Sequence, residues 1–156
     1  MNPNQKISFD SLFPLIQEEL ENGRSFSFTA FGNSMYPTIR GGVHHVTLSP
    51  LNSPPKNGDI LFYKRSNGVF VLHRLCKIKK NHSYVFFGDN QYVPETTIQD
   101  SDIIARLTKI ELNGKDVTPS PSIQILYTRL LPLRRAYLRT RSLLRRLVKK
   151  CIHKRH

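Results

Sequence analysis

The sequence predicts a mainly β domain that has one N-terminal helix and one basic C-terminal helix. Three observations support this fold class: six short β-rich runs bounded by turn residues, an apolar repeat of helical period before them, and an arginine-rich repeat of helical period after them. The chain has 156 residues, of which 38% are hydrophobic and 22% charged. This composition is typical of a single globular unit.

The first predicted element is a helix over residues 7–21. Four apolar residues recur at helical spacing: Leu12, Leu15, Ile16 and Leu20. The pair Asn22-Gly23 follows them and is typical of a helix end. We expect this helix to cover one face of a sheet.

Six runs rich in β-branched and aromatic residues come next. They span residues 25–31, 43–48, 59–64, 69–78, 84–87 and 103–112. Turn residues such as Gly41-Gly42 and Asn113-Gly114 separate them. Several short strands between turns predict a compact, mainly β domain over residues 1–118.

The last part of the chain, residues 119–156, is predicted as a linker and a basic amphipathic helical tail. Residues 117–122 contain two prolines, which disfavour a helix just before them. Beyond the linker, six apolar residues form a stripe of helical period: Leu126, Leu130, Leu133, Tyr137, Leu144 and Val148. Arginine and lysine occupy most of the remaining helix surface.

The positive charge is concentrated in this tail. The whole chain has 24 Lys and Arg against 11 Asp and Glu, a net charge of +13. Residues 129–156 hold 11 of these bases and no acid, which leaves 13 bases and 11 acids, a net +2, for residues 1–128. Three roles for the tail stay open: contact of residues 126–156 with an anionic membrane, binding of nucleic acid phosphates, or packing of the apolar stripe on the domain. Nucleic acid is the least favoured, because few aromatic residues are interleaved for base stacking.

The sequence predicts a cytoplasmic protein, with peripheral contact at the inner membrane face if the tail binds lipid. No run of about 18 apolar residues is present, and the first 13 residues lack a basic segment followed by a long apolar one. With only Cys76 and Cys151, a disulfide framework is not expected.

One serine lies at a strand end, where a nucleophile could be exposed. Residues 32–37 read GNSMYP and follow the predicted strand 25–31. A serine held at such a corner can leave its own backbone N–H free to bind an oxyanion. Taken alone, the segment is more typical of an ordinary turn, since Gly, Asn, Ser and Pro are turn residues.

Three later segments give the serine its context. Residues 58–62 read GDILF, residues 69–75 read VFVLHRL, and residues 86–90 read FFGDN. Together with GNSMYP at 32–37, this succession resembles the signal peptidase I clan, to which the SOS-repressor peptidases also belong. The resemblance extends over residues 26–107 and implies coiled antiparallel β-sheets and a serine endopeptidase that cleaves a precursor or leader peptide.

The resemblance also implies roles for individual residues. Ser34 corresponds to the nucleophile and His73 to its general base, as in the endoplasmic-reticulum and sporulation-type branch, where histidine replaces lysine. Asp89 corresponds to the acid that would complete a Ser-His-Asp triad. Four neighbours of the serine would shape its loop and the oxyanion site: Gly32, Asn33, Met35 and Pro37. Several members of the clan have a serine hydroxyl at the position of Gly32, so this chain would rely on backbone donors.

Other interpretations of the same residues stay open. His73 on an apolar strand could be a hydrogen-bonded core residue, and Asp89 could be a turn residue. The pair His44-His45 does not predict a metal site, because adjacent strand residues point to opposite faces, and we expect no cofactor. The alternatives to a peptidase with a peptide or protein-precursor substrate are a catalytically silent peptide-binding module and an adaptor driven by the tail.

Overall fold

The computed structural model describes residues 9–80 and 83–153, and the side chains of residues 13–80 and 83–145. Two helices flank the strands: α1 (Phe9–Glu21) and α2 (Pro121–His153). The strands are β1 (Phe26–Thr29), β2 (His45–Ser49), β3 (Ile60–Lys64), β4 (Phe70–Ile78), β5 (Tyr84–Phe87), β6 (Ile103–Leu112) and β7 (Lys115–Asp116). The predicted mainly β fold with a helix at each end is confirmed.

The seven described strands form one antiparallel sheet. Its order is β1-β2-β6-β3-β4-β5, and β7 pairs with β6. Phe28 of β1 and Val71 of β4 line the same cavity, although three strands separate β1 from β4 in the sheet order. The sheet therefore curves until these two strands face each other.

The predicted strands agree with the structure within a few residues. β5 and β6 have the predicted bounds, and β1, β3 and β4 are one or two residues shorter at one or both ends. β2 begins two residues later and ends one residue later than predicted. β7 was not predicted, because its two residues Lys115 and Asp116 carry no apolar pattern. It forms because Asn113 (φ 51°) and Gly114 (φ 75°) adopt positive φ angles, as a tight hairpin turn requires.

Helix α1 covers one part of the sheet, as predicted. Ile16 and Leu20 are buried against Leu48, Phe62 and Ala105. Residues 7 and 8 of the predicted helix and the side chain of residue 12 lie outside the described part. Leu15 is not part of the buried side, since it is 48% exposed.

Helix α2 begins at Pro121, inside the predicted linker 117–122. Its 33 residues correspond to a length of about 50 Å. It packs on the sheet domain through Leu131, which is 1% exposed. Among the described residues, neither helix has an apolar stretch sufficient to cross a bilayer.

Candidate active site

The predicted nucleophile lies in a closed loop between β1 and β2. The Ala30 N–H donates to the His44 carbonyl (2.9 Å), and the Gly42 N–H donates to the Ala30 carbonyl (2.7 Å). Gly32 has a φ of +72°, and its carbonyl oxygen would lie 2.1 Å from a Cβ atom on Gly41. Both positions require glycine, because a side chain would strain one and collide at the other.

The residues around Ser34 fix its position within this loop. The Tyr36 N–H donates to the Asn33 carbonyl (3.2 Å), and the Ile39 N–H donates to the Met35 carbonyl (2.9 Å). Met35 is 4% exposed and packs with Ile39 in a buried cluster on the sheet, while Ser34 is half-buried. The peptide bond between Tyr36 and Pro37 is cis. Met35 anchors the loop in the core, and the adjacent Ser34 lines a cavity.

The turn after β5 lies directly on the serine loop. The Asn90 N–H donates to the Ser34 carbonyl (2.7 Å), and the Asn90 side chain donates to the Asn33 carbonyl (3.2 Å). A Cβ atom on Gly88 would lie 2.6 Å from the Ser34 carbonyl oxygen. Glycine at 88 thus allows two segments more than 50 residues apart to touch.

His73 lies on β4, is 1% exposed, and lines the same cavity as Ser34. Its Nδ1 atom is 2.9 Å from a carboxylate oxygen of Glu95 and 3.1 Å from the Tyr63 hydroxyl. Arg65 donates two hydrogen bonds to the Glu95 carboxylate, at 2.5 and 2.8 Å. Glu95 is in turn fixed by paired backbone hydrogen bonds with Phe86 (2.8 and 2.9 Å). Glu95, and not the predicted Asp89, is therefore the acid against the imidazole.

This environment determines the tautomer of His73. Burial lowers the pKa of His73, an effect that the Glu95 charge only partly offsets, so the ring is neutral near pH 7. Burial by itself would raise the pKa of Glu95, but hydrogen bonds from Arg65 and Tyr63 and the charge of Arg65 lower it overall. An ionised carboxylate only accepts hydrogen bonds, so the His73 proton resides on Nδ1. The unprotonated Nε2 is then available as a base.

Asp89 has a different partner. Arg74 follows His73 and points to the other face of β4, where its side chain is 1% exposed. It donates two hydrogen bonds to the fully buried Asp89 carboxylate (2.8 and 2.9 Å) and one to the Gly58 carbonyl (3.0 Å). The Thr38 hydroxyl also donates to Asp89 (2.5 Å). A buried guanidinium requires a compensating charge, and this requirement explains why Asp89 faces Arg74 instead of His73.

Helix α2 contributes a further residue to these loops. The Arg134 guanidinium donates to the carbonyls of Asp89 (2.9 Å) and Tyr36 (3.2 Å) and to the Asn90 side chain (3.5 Å). The ring of Tyr127, also on α2, lies 5.2 Å from the Arg74 guanidinium carbon. The predicted tail therefore contacts both loops of the candidate site.

The cavity beside Ser34 and His73 has a volume of about 310 Å³. Four phenylalanines contribute to its wall: Phe28, Phe31, Phe62 and Phe70. Gln91 and Arg65 add polar groups at the same cavity. Such a cavity suits an apolar group held next to a few polar ones.

Sequence reasoning missed Glu95, Arg65 and Arg134. One signal for Glu95 was present, since it is the only acidic residue between Asp89 and Asp100. Arg134 gave no such signal, because it is one of many arginines in the tail. Asn33 and Pro37 lie in the loop as predicted, and their catalytic relevance stays a prediction.

Among the described residues, no hydrogen bond joins the Ser34 hydroxyl to the His73 ring, and no group of three His, Cys, Asp or Glu side chains could hold a metal ion. Comparison with known proteins gave no matching family model, no matching curated protein and no matching solved structure.

Proposed function

We propose that this protein is a serine peptidase of the signal-peptidase type that cleaves a peptide or protein precursor. Ser34 is the nucleophile, His73 the general base, and Glu95 the acid that orients His73. The observation that supports this proposal is that Ser34 and His73, which lie far apart in the sequence, line one cavity, with Glu95 against the His73 ring. The loop of Ser34 is held beside β4 by residues 88–90, which bond both to residues 34–38 and to Arg74.

The reaction follows from the chemistry of these groups. Ser34 Oγ attacks the peptide carbonyl carbon while His73 Nε2 takes the hydroxyl proton. The resulting imidazolium is stabilised by the Glu95 carboxylate at Nδ1, and it returns the proton to the leaving amine. Water then hydrolyses the acyl-serine ester, with His73 again acting as the base. The Ser34–His73 hydrogen bond forms when substrate is bound, since such bonds are often long in free enzymes.

The oxyanion of the tetrahedral intermediate is stabilised by backbone donors. In the described part of the chain, the Ser34 N–H donates no hydrogen bond within the protein. It lies in a loop that Met35 and Asn90 hold in place, so it is oriented before the reaction begins. Gly32 supplies no hydroxyl, and we expect a lower rate than in relatives that have a second donor.

The substrate binds as an extended strand between β1 and β4. β1 is an edge strand of the sheet, and β5 pairs with β4 only from Arg74 onward, which leaves residues 70–73 of β4 without β5 beside them. Backbone groups at both edges are suited to pair with a peptide. A side chain next to the scissile bond then enters the phenylalanine-lined cavity, so we expect an apolar residue there.

The test is cleavage of a peptide library, read by mass spectrometry, by the full-length protein and by Ser34→Ala and His73→Ala. We expect each substitution to abolish cleavage at the sites that the unchanged protein cuts. Ser25→Ala and His45→Ala are matched controls, because both residues are exposed and lie outside the cavity. Cleavage that persists in Ser34→Ala with the same sites would contradict the proposal.

A catalytically silent peptide-binding module is the second candidate function. Among the described residues, the side chains of Ser34 and His73 share no hydrogen bond, and this absence favours a silent module. Binding of library peptides without any cleavage, with an affinity that Ser34→Ala leaves unchanged, would establish this alternative.

A further inference from the structure

Over the residues whose side chains the structure describes, helix α2 contacts the sheet domain through one side. Leu131 is buried, the Arg135 guanidinium carbon lies 3.3 Å from the centre of the Phe87 ring, and the Ser142 hydroxyl lies 3.3 Å from that of Tyr92. Residues 131, 135 and 142 recur at helical spacing, so they belong to one side of the helix.

The opposite side is apolar and exposed to solvent. Eight large hydrophobic residues of α2 are between 48% and 71% exposed: Ile123, Ile125, Leu126, Leu130, Leu133, Tyr137, Leu143 and Leu144. At 100° per residue they fall within an arc of about 160° centred roughly opposite Leu131. We call this arc the outward face of α2. It contains every described residue of the apolar stripe seen in the sequence, and that stripe is therefore not the part that packs on the domain.

Positive charge borders the outward face. Arg139 and Arg141 lie on its two sides, Arg129 lies within it, and all three are exposed. Residues 129–156 contain 11 Lys and Arg and no acid. An occupant of this face must therefore combine an apolar interior with a negatively charged surface.

We propose that the outward face of α2 binds an anionic phospholipid bilayer, with the helix lying in the plane of the interface. The leucines enter the boundary of the acyl region, and the arginine stems extend their guanidinium groups to the lipid phosphates. This inference is independent of the proposed peptidase activity, because none of its residues lines the cavity.

Two other occupants fit the charge or the apolar surface, but not both. A second copy would bring two arginine-rich segments without acids together, and like charges would oppose that contact. Nucleic acid would neutralise the arginines and leave the leucines in water, and Tyr137 is the only aromatic residue among the described residues of the outward face.

The test is flotation of the full-length protein with vesicles of phosphatidylcholine alone and with vesicles that also contain phosphatidylglycerol. We expect binding to the anionic vesicles only, weakened by salt. The double substitution Leu130→Gln/Leu133→Gln should lower the partition coefficient about tenfold or more. Arg139→Gln/Arg141→Gln should lower it as well and reduce its salt dependence.

The matched control is Val43→Gln/Val117→Gln, which removes two exposed apolar side chains outside α2 and should leave vesicle binding unchanged. Circular dichroism checks that each variant is folded. The proposal is overturned if the anionic vesicles do not float the protein, whether or not it dimerises or binds an acidic protein or nucleic acid instead. It is also overturned if the double leucine variant binds as well as the unchanged chain.

Discussion

The two acids of the candidate site are expected to respond oppositely to loss of their charge. Asp89→Asn keeps the shape of the side chain but leaves the Arg74 guanidinium, 1% exposed, without its counter-charge. Removal of one partner of a buried ion pair costs about 3–5 kcal/mol. A domain of this kind has about 5–15 kcal/mol of stability in total, so the loss is a large part of it.

Urea denaturation followed by circular dichroism measures this loss. With a slope of about 2 kcal/mol per M, the loss moves the unfolding midpoint down by about 1.5 M or more. Glu111→Gln is the control, because it removes a carboxylate from the more exposed pair with Lys109 and should change the midpoint much less.

Glu95→Gln should show the reverse behaviour. The Glu95 side chain is 18% exposed, so its loss costs less stability than that of Asp89. Peptide cleavage should fall about 100-fold or more, because the imidazolium loses its counter-charge and the amide no longer fixes the Nδ1–H tautomer. If Asp89→Asn abolished cleavage at unchanged stability while Glu95→Gln remained active, Asp89 would be the catalytic acid and the reasoning from Arg74 would be refuted.

Two further predictions concern Arg134 and pH. Arg134→Ala should lower kcat/KM about tenfold with the fold intact, mainly through kcat, because the loops of Tyr36 and Asp89 lose their shared donor. Arg134→Lys should recover part of the lost kcat/KM. The exposed residue Arg139 is the control, and a loss in Arg134→Ala no larger than that in Arg139→Ala would contradict this role. Since burial lowers the pKa of His73, neutral base persists below pH 6.5, and the acidic limb of kcat/KM should lie below that pH. Glu95→Gln should move the limb lower still, whereas a limb centred above pH 7 would show that His73 is not the base.

The strands were predictable because their local patterns agree with their environment. β5 and β6 alternate or cluster apolar residues between strong turn signals, and their predicted bounds match. β7 could not be found this way, since Lys115 and Asp116 are exposed and only the backbone of Asn113-Gly114 brings them back to β6. The curvature that makes β1 face β4 is a property of the whole sheet, and no single segment encodes it.

The site was only partly predictable, because a sequence motif identifies residues but not the contacts that they make in the fold. Ser34 and His73 line one cavity, as the resemblance required. The acid was assigned to Asp89 because it stands in the expected motif. The deciding fact is three-dimensional: His73 and Arg74 are neighbours on β4 and point to opposite faces, so each needs its own acid.

The role of α2 depends on which of its sides contacts the domain. Apolar periodicity alone would predict that the leucine stripe packs on the domain, whereas the stripe faces outward. Backbone carbonyls at the ends of the two site loops need donors, and a guanidinium with several N–H groups satisfies them better than a leucine would. Arg134 therefore faces the domain while Leu130 and Leu133 face outward. Deleting α2 would remove the loop contacts and the outward face together, and loss of activity after such a deletion would not identify either cause. Substitutions at Leu130 and Leu133, separate from those at Arg134, distinguish the two sides of the helix.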